Sequence, residues 1–229
     1  MVFEYDNQEE KKREDLFNRI CNAIDICYDT ARDVSRQERD DMQMIYGNLT
    51  YGEIPYDSMK KIFDVIKNEF LISYNQTNTH FNLYDLGSGS GSSTLAAALQ
   101  LDNFKKVIGI EILSGLYSMS KKIKKEMENS KYNTNTLLDF IHGSILTEWY
   151  WCEFETPCII FANSTCFNEE MFEMIKKQAK NLKEGSYIIT LSCPVTIPKY
   201  KKIKLLKELR LDMSWGQSDV FIHYINEEK

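Results

Sequence analysis

Apolar residues along this 229-residue chain fall into two textures, helical up to about residue 73 and alternating from residue 81 onward. Residues 9–28 carry Leu16, Ile20, Ala23, Ile24 and Cys27 at three-and-four spacing, and residues 57–72 carry Met59, Ile62, Phe63, Ile66 and Phe70 in the same rhythm. That period predicts two amphipathic helices. Between them "NLTYGEIPYDS", with Gly52 and Pro55, predicts a loop. A polar break, "SYNQTNTH" (73–80), separates this helical part from the remainder of the chain.

Beyond it, short apolar runs alternate with helical patterns. The runs "FNLYDL" (81–86), "KVIGIEI" (106–112), "LDFIHG" (138–143), "CIIFAN" (158–163) and "SYIITLS" (186–192) predict strands; 91–101, 114–129 and 168–182 predict helices. Asn168 is placed to cap the last of these, with Glu169 and Glu170 in its first turn where carboxylates favour the helix dipole. Alternation of this kind specifies an α/β fold, a Rossmann-like doubly wound parallel sheet with helices on both faces. "LRLDMSWG" (209–216) and "DVFIHYIN" (219–226) predict a closing antiparallel hairpin.

Composition narrows the classes. At 43% hydrophobic and 27% charged residues the chain is an ordinary globular sequence. No apolar run approaches the ~20 residues that span a bilayer, so no membrane partner is expected. The N-terminus is charged from the start and lacks a signal-like apolar segment, so an intracellular location is expected. Six cysteines, Cys21, Cys27, Cys152, Cys158, Cys166 and Cys193, form no CxxC pair and find no histidine cluster, which predicts reduced, mostly buried thiols and no metal site. A net charge of −6 argues against strong direct nucleic-acid binding. The lysines of "KKIKKE" (121–126) and "KYKKIKLLKELR" (199–210) are interleaved with Ile and Leu and read as solvated helix faces.

The candidate chemistry lies in "YDLGSGSGSSTLAAALQ" (84–100). Its spacing is DxGxGxG, from Asp85 through Gly87 and Gly89 to Gly91, whereas a dinucleotide loop prefers GxGxxG. A carboxylate beside the loop repels a pyrophosphate and attracts a cation. Glu111 comes at the end of the next strand, where an acid can accept from both hydroxyls of a ribose. Alone, the glycines fit a mere tight turn and Glu111 a surface acid. In order on two successive strands they favour S-adenosylmethionine over a nicotinamide cofactor or no ligand, and the pattern resembles the first motif of class I S-adenosylmethionine-dependent methyltransferases.

Further stretches, "TYGEIPYDSM", "DLGSGSG", "GIE", "IHGSILTEW", "IIFANSTCF", "NLKEGSYIITLSCP" and "SWGQSDVFIHYI", sharpen the match. Over about residues 49–226 the chain resembles the Dot-one (disruptor of telomeric silencing) family, non-SET lysine methyltransferases that act on a core lysine of histone three. The resemblance implies a seven-stranded class I methyltransferase sheet in residues 57–229, preceded by an N-terminal helical extension and cofactor lid loop in residues 1–56. It implies that Tyr51, Gly52 and Glu53 fold over the cofactor, that Asp85, Gly87 and Gly89 line its methionyl end, and that Glu111 meets its ribose. Ser144 and Ile145 would flank the adenine, without the acid that related enzymes often place there. Asn163 and Phe167 would position the acceptor amine, with Tyr51 helping to close the site.

The chain also departs from the family. Where the family reads Asn-Asn-Phe-Ala-Phe, this sequence has Asn163, Ser164, Thr165, Cys166 and Phe167, and Ile222 stands where the family places a tyrosine beside the acceptor lysine. The terminal "NEEK" is not a basic extension. Three functions stay open: a histone lysine methyltransferase acting in the nucleus, a methyltransferase for another protein or a small molecule acting in the cytoplasm, or a cofactor-binding module without turnover.

Overall fold

The computed structural model of the protein describes residues 7–41, 50–73, 81–101, 104–130, 132, 136–148, 151, 156–198 and 202–226. Residues 74–80 of the polar break, residues 199–201 of the second lysine run, Trp149, Cys152 and the terminal "EEK" lie outside the described residues. Seven strands are described: β1 (Phe81–Leu86), β2 (Phe104–Glu111), β3 (Leu137–His142), β4 (Cys158–Ala162), β5 (Tyr187–Leu191), β6 (Ile203–Met213) and β7 (Gly216–Ile225). They form one sheet in the order β3-β2-β1-β4-β5-β7-β6, with β1 to β5 parallel and β7 antiparallel to both neighbours. The helices are α1 (Asn7–Ala23), α2 (Tyr28–Asp41), α3 (Tyr56–Ser73), α4 (Ser92–Ala98), α5 (Ser114–Asn129) and α6 (Glu169–Ala179).

Strand alternation divides the core between the two faces of the sheet. Leu83, Val107, Ile159 and Phe161 join one hydrophobic cluster with Leu16, Ile20, Ile62, Leu95 and Ile123, so α1, α3, α4 and α5 cover this face. Tyr84, Leu86, Ile110, Ile160 and Ile188 join the other with Trp151, Ile175, Ala179 and Leu182, so α6 and the segment after β3 cover the opposite face. The chain winds outward from β1 to β3 on one side and resumes at β4 on the other. A crevice therefore opens beyond the carboxyl ends of β1 and β4, where open α/β sheets bind ligands.

Four expectations need correction. The helix read over 9–28 ends early: α1 stops at Ala23, Asp25 turns left-handed at φ 51°, Ile26 N–H closes the end on the carbonyl of Cys21 at 3.1 Å, and a separate helix, α2, begins only at Tyr28. The second lysine run is not a helix face, because residues from Ile203 onward form the edge strand β6. The closing hairpin accordingly turns at Ser214 and Trp215, earlier than expected. The described thiols are not mostly buried: Cys21 and Cys158 are, Cys166 is half-buried, and Cys27 and Cys193 are exposed. The Asn168 cap is as expected, its side chain accepting from Met171 N–H at 2.9 Å.

Candidate active site

The glycine loop turns from β1 into α4 through three left-handed residues, Gly87 (φ 80°), Gly89 (φ 58°) and Gly91 (φ 90°), a conformation that side chains resist. Its amides are already engaged. Gly87 and Ser88 N–H both donate to the carbonyl of Ile110 at 2.9 Å, Gly91 N–H donates to Ser88 at 2.9 Å, and Gly89 N–H donates to Glu111 Oε2 at 2.7 Å. A phosphate cradle needs such amides turned outward. This loop offers few.

Glu111, at the end of β2, is buried, and its second oxygen accepts from Leu113 N–H at 2.8 Å. Desolvation raises its carboxyl to about 7, with the backbone donors of Leu113 and Gly89 pulling the other way. Asp85, at the end of β1, is raised to about 6 by desolvation, opposed by the hydroxyls of Thr94 (2.6 Å) and Ser93 (2.8 Å) on Oδ2. Oδ1 is buried without a partner among the described residues. Asp85 is not among the residues that line the cleft; through Ser93 and Thr94 it ties the turn of the loop to α4.

Opposite the loop, residues 51–53 form a strap. The Tyr51 phenol donates to Glu53 Oε1 and meets Ser90 Oγ at 2.8 Å, while its ring lies so near Gly89 that a Cβ there would stand 2.6 Å away. Burial and the Glu53 charge push this phenol well above the ordinary tyrosine value. The hairpin holds the strap's other side: Ser214 N–H donates to Glu53 O at 3.0 Å, Glu53 N–H donates to Ser214 Oγ at 2.9 Å, and the Trp215 ring covers Gly52. Asn163, just after β4, donates from Nδ2 to Gly52 O at 3.0 Å. Phe167 comes after a short 3-10 turn (Ser164–Cys166) and its ring faces Gly87.

These groups wall one cleft of about 820 Å³, part of it open to solvent. Tyr51, Gly52, Glu53, Gly87, Gly89, Glu111, Ser144, Ile145, Asn163 and Phe167 all line it. Cys166, in the changed motif, lines the cleft, as does Ser35, and Ser90 and Ser214 hold the strap; the sequence does not single out these three serines. Ser90 has one signal, its place within the glycine loop. Ser35 has none.

Two carboxylates, Glu53 and Glu111, lie on the wall, and none of the described lining residues is basic. Coulomb attraction therefore favours a cation-bearing ligand over a diphosphate. The engaged amides agree, and Glu111 supplies acceptors for hydroxyls; the site fits a nucleoside with a cationic tail. Among the described residues no cluster of His, Cys, Asp and Glu is placed to hold a metal, and no helix is long and apolar enough to cross a membrane.

The sheet order and the cleft at its switch point are those of the class I methyltransferase fold. The O-methyltransferase from Bacillus cereus, solved in complex with SAH, is similar at 12% identity over 91% of this chain and 96% of that one, with a TM-score of 0.55. The rRNA methyltransferase aviRa from Streptomyces viridochromogenes aligns at 12% identity over 79% and 93%, TM-score 0.51. TrmN from Thermus thermophilus aligns at 12% over 82% of this chain and 53% of that one, TM-score 0.57. No curated protein sequence matches the chain. The family described as histone methylation protein DOT1 matches residues 38–215, and the chain belongs to it. Its cofactor is S-adenosylmethionine.

Proposed function

We propose that this protein methylates a lysine side chain of another protein, with a nucleosomal histone as the first acceptor to test and the nucleus as its place of action. The observation that carries this reading is the strap: residues 51–53 are fastened at once to the glycine loop through Ser90, to Asn163, and to the hairpin through Ser214. One segment thereby joins the cofactor side of the cleft to the side from which an acceptor enters. In this reading residues 1–56 are the extension bearing the lid, and residues 57–229 are the transferase unit.

When bound, S-adenosylmethionine supplies a methyl group on a sulfonium. Glu111 would hold the ribose, Ser144 and Ile145 the adenine, and Gly87 and Gly89 the methionyl end, with Asp85 fixing their loop from behind. Asn163 and Phe167 would align the amine, and Tyr51 and Glu53 would exclude water. Tyr51 is a donor held as a phenol, which makes it a positioning residue and a poor base. The acceptor amine sheds its proton to solvent as it enters, since a poorly hydrated channel disfavours its charged form.

A second reading, another protein or a small molecule as acceptor, is favoured by Ile222. It is fully buried in the sheet core against Ile189 and absent from the described cleft wall, so no aromatic ring stands at that position. Radiolabelled methyl transfer to nucleosomes, free histones and a cell extract tests both. Labelling of nucleosomes supports the first reading, labelling of other species alone supports the second, and cofactor binding with no labelling at all points to a module without turnover.

A further inference from the structure

The helix α2 has a sequence, "YDTARDVSRQERDD", that gives little reason to pack: only Ala31 and Ser35 are buried. It is held by the packing of Ala31, Tyr28 and Val34 on the main core and by polar contacts. The Glu38 carboxylate accepts from Ser114 N–H (2.6 Å), Ser114 Oγ (2.7 Å) and Gly115 N–H (2.8 Å) at the start of α5, and Tyr28 stacks on the Tyr51 ring at 6.1 Å. Ala31, Ser35 and Glu38, spaced four and three apart, share one helix face. Val34 lies close enough to Gly115 that a Cβ there would collide with it at 2.6 Å.

Ser35 is fully buried, lines the cleft, and its hydroxyl has no partner among the described residues. A helical serine commonly donates to the carbonyl four residues earlier, as Ser118 does to Ser114 O at 2.8 Å. Ser35 forgoes that bond. A buried hydroxyl left without a partner is unfavourable, and one on a cleft wall is placed where a ligand could satisfy it. The end of the cleft is identifiable: Glu111 accepts from Leu113 N–H, and the next two residues hold Glu38. The family match begins at residue 38, so it does not reach Ser35.

We propose that Ser35 is a cofactor-binding residue whose hydroxyl hydrogen-bonds the nucleoside part of S-adenosylmethionine, and that the Glu38 contact with α5 positions it. This rests on the reading of the cleft as the S-adenosylmethionine site. The experiment is calorimetric titration with S-adenosylhomocysteine and with adenosine of wild type, Ser35→Ala, Ser35→Cys and Glu38→Gln. Both Ser35 variants should bind each ligand about tenfold more weakly, the order expected for one lost hydrogen bond. Ligand-free Ser35→Ala should melt no lower than wild type, because it loses a hydroxyl that had no partner. Glu38→Gln should weaken binding in the same direction, and unchanged affinity there would remove the positioning contact from the proposal. Wild-type affinity in Ser35→Ala would overturn the assignment while leaving the cofactor site standing; no binding of S-adenosylhomocysteine by wild type would overturn both.

Discussion

Asn163 Nδ2 donates a 3.0 Å hydrogen bond to the carbonyl of Gly52, joining the end of β4 to the strap over the cleft. In the proposed function this bond serves the acceptor side, and Glu111 and the glycine loop hold together without it. Asn163→Ala should therefore keep the dissociation constant for S-adenosylhomocysteine within about threefold, a loss below that of a typical hydrogen bond. Turnover should fall at least about tenfold, because misplacing an acceptor is costly to alignment. Calorimetry beside a methyl-transfer assay separates the two, and equal losses in both would contradict the placement.

Gly89 meets two constraints at once, a left-handed backbone at φ 58° and a Tyr51 ring atom 2.6 Å from where a Cβ would stand. Gly89→Ala should cost about 1–2 kcal/mol from backbone strain alone, and more if the ring cannot move. Tyr51→Ala in the same chain removes the collision but not the strain. Urea denaturation of the single and double variants should give a non-additive difference on the order of 1 kcal/mol. Strict additivity would show that the ring and the loop do not bear on each other.

Asp85 and Glu111 set a pH dependence whose sign runs against the usual behaviour of carboxylates. Folding raises them to about 6 and about 7, from about 3.9 and about 4.3 in an unfolded chain. Between those values the folded state holds protons that the unfolded state has released. Their contribution to stability is thus fully present below about pH 4 and is lost as pH rises through about 6 to 7. Ligand-free protein should lose stability from about pH 4 to about pH 7, and Asp85→Asn and Glu111→Gln should each flatten the profile. Binding of S-adenosylhomocysteine should instead strengthen as pH rises through about 7 if ribose hydroxyls donate to ionised Glu111. An affinity flat across that range in wild type would remove Glu111 from the ribose.

Elements are legible in the sequence where their interactions leave a periodic trace. The apolar patterns place β1 to the residue, as a short run buried on both faces that ends at Gly87, and α5 likewise, because its buried side chains recur at three and four and it ends at a turn. The strand β6 mimics a helix because its apolar residues Ile203, Leu206 and Leu209 recur every three positions. A register shift between Leu205 and Lys207 resets the alternation of this edge strand, so the true period of two is hidden. The helix α2 is easily missed because only Ala31 and Ser35 are buried, neither a large apolar residue, and its anchor is a carboxylate. At the site, the glycines and Glu111 declare themselves by spacing. The Asp85 position does not, since motif spacing says that an acid is near the loop and leaves open whether it lies in front of it or behind.

Gly52 and Trp215 test whether the strap and the hairpin act as one body. Gly52 has no unusual backbone requirement, so only space forbids a side chain there: an added Cβ would lie 2.3 Å from Trp215 Cε3 and Cζ3. Trp215 is itself 39% exposed, and a ring displaced from Gly52 can move into solvent. The polar contacts on either side, Ser214 with Glu53 and Asn163 with Gly52, resist any shift of the strap itself. Gly52→Ala should therefore expel the ring first, lowering turnover while disturbing S-adenosylhomocysteine binding little. Trp215→Ala removes the ring and its packing on Gly52, so it should be impaired on its own. In the double variant the alanine methyl enters space already vacated, and the loss should be smaller than the sum of the two by about 1 kcal/mol. A cycle on turnover and on denaturation midpoint measures that coupling, and independence of the two sites would show that the hairpin does not govern the strap.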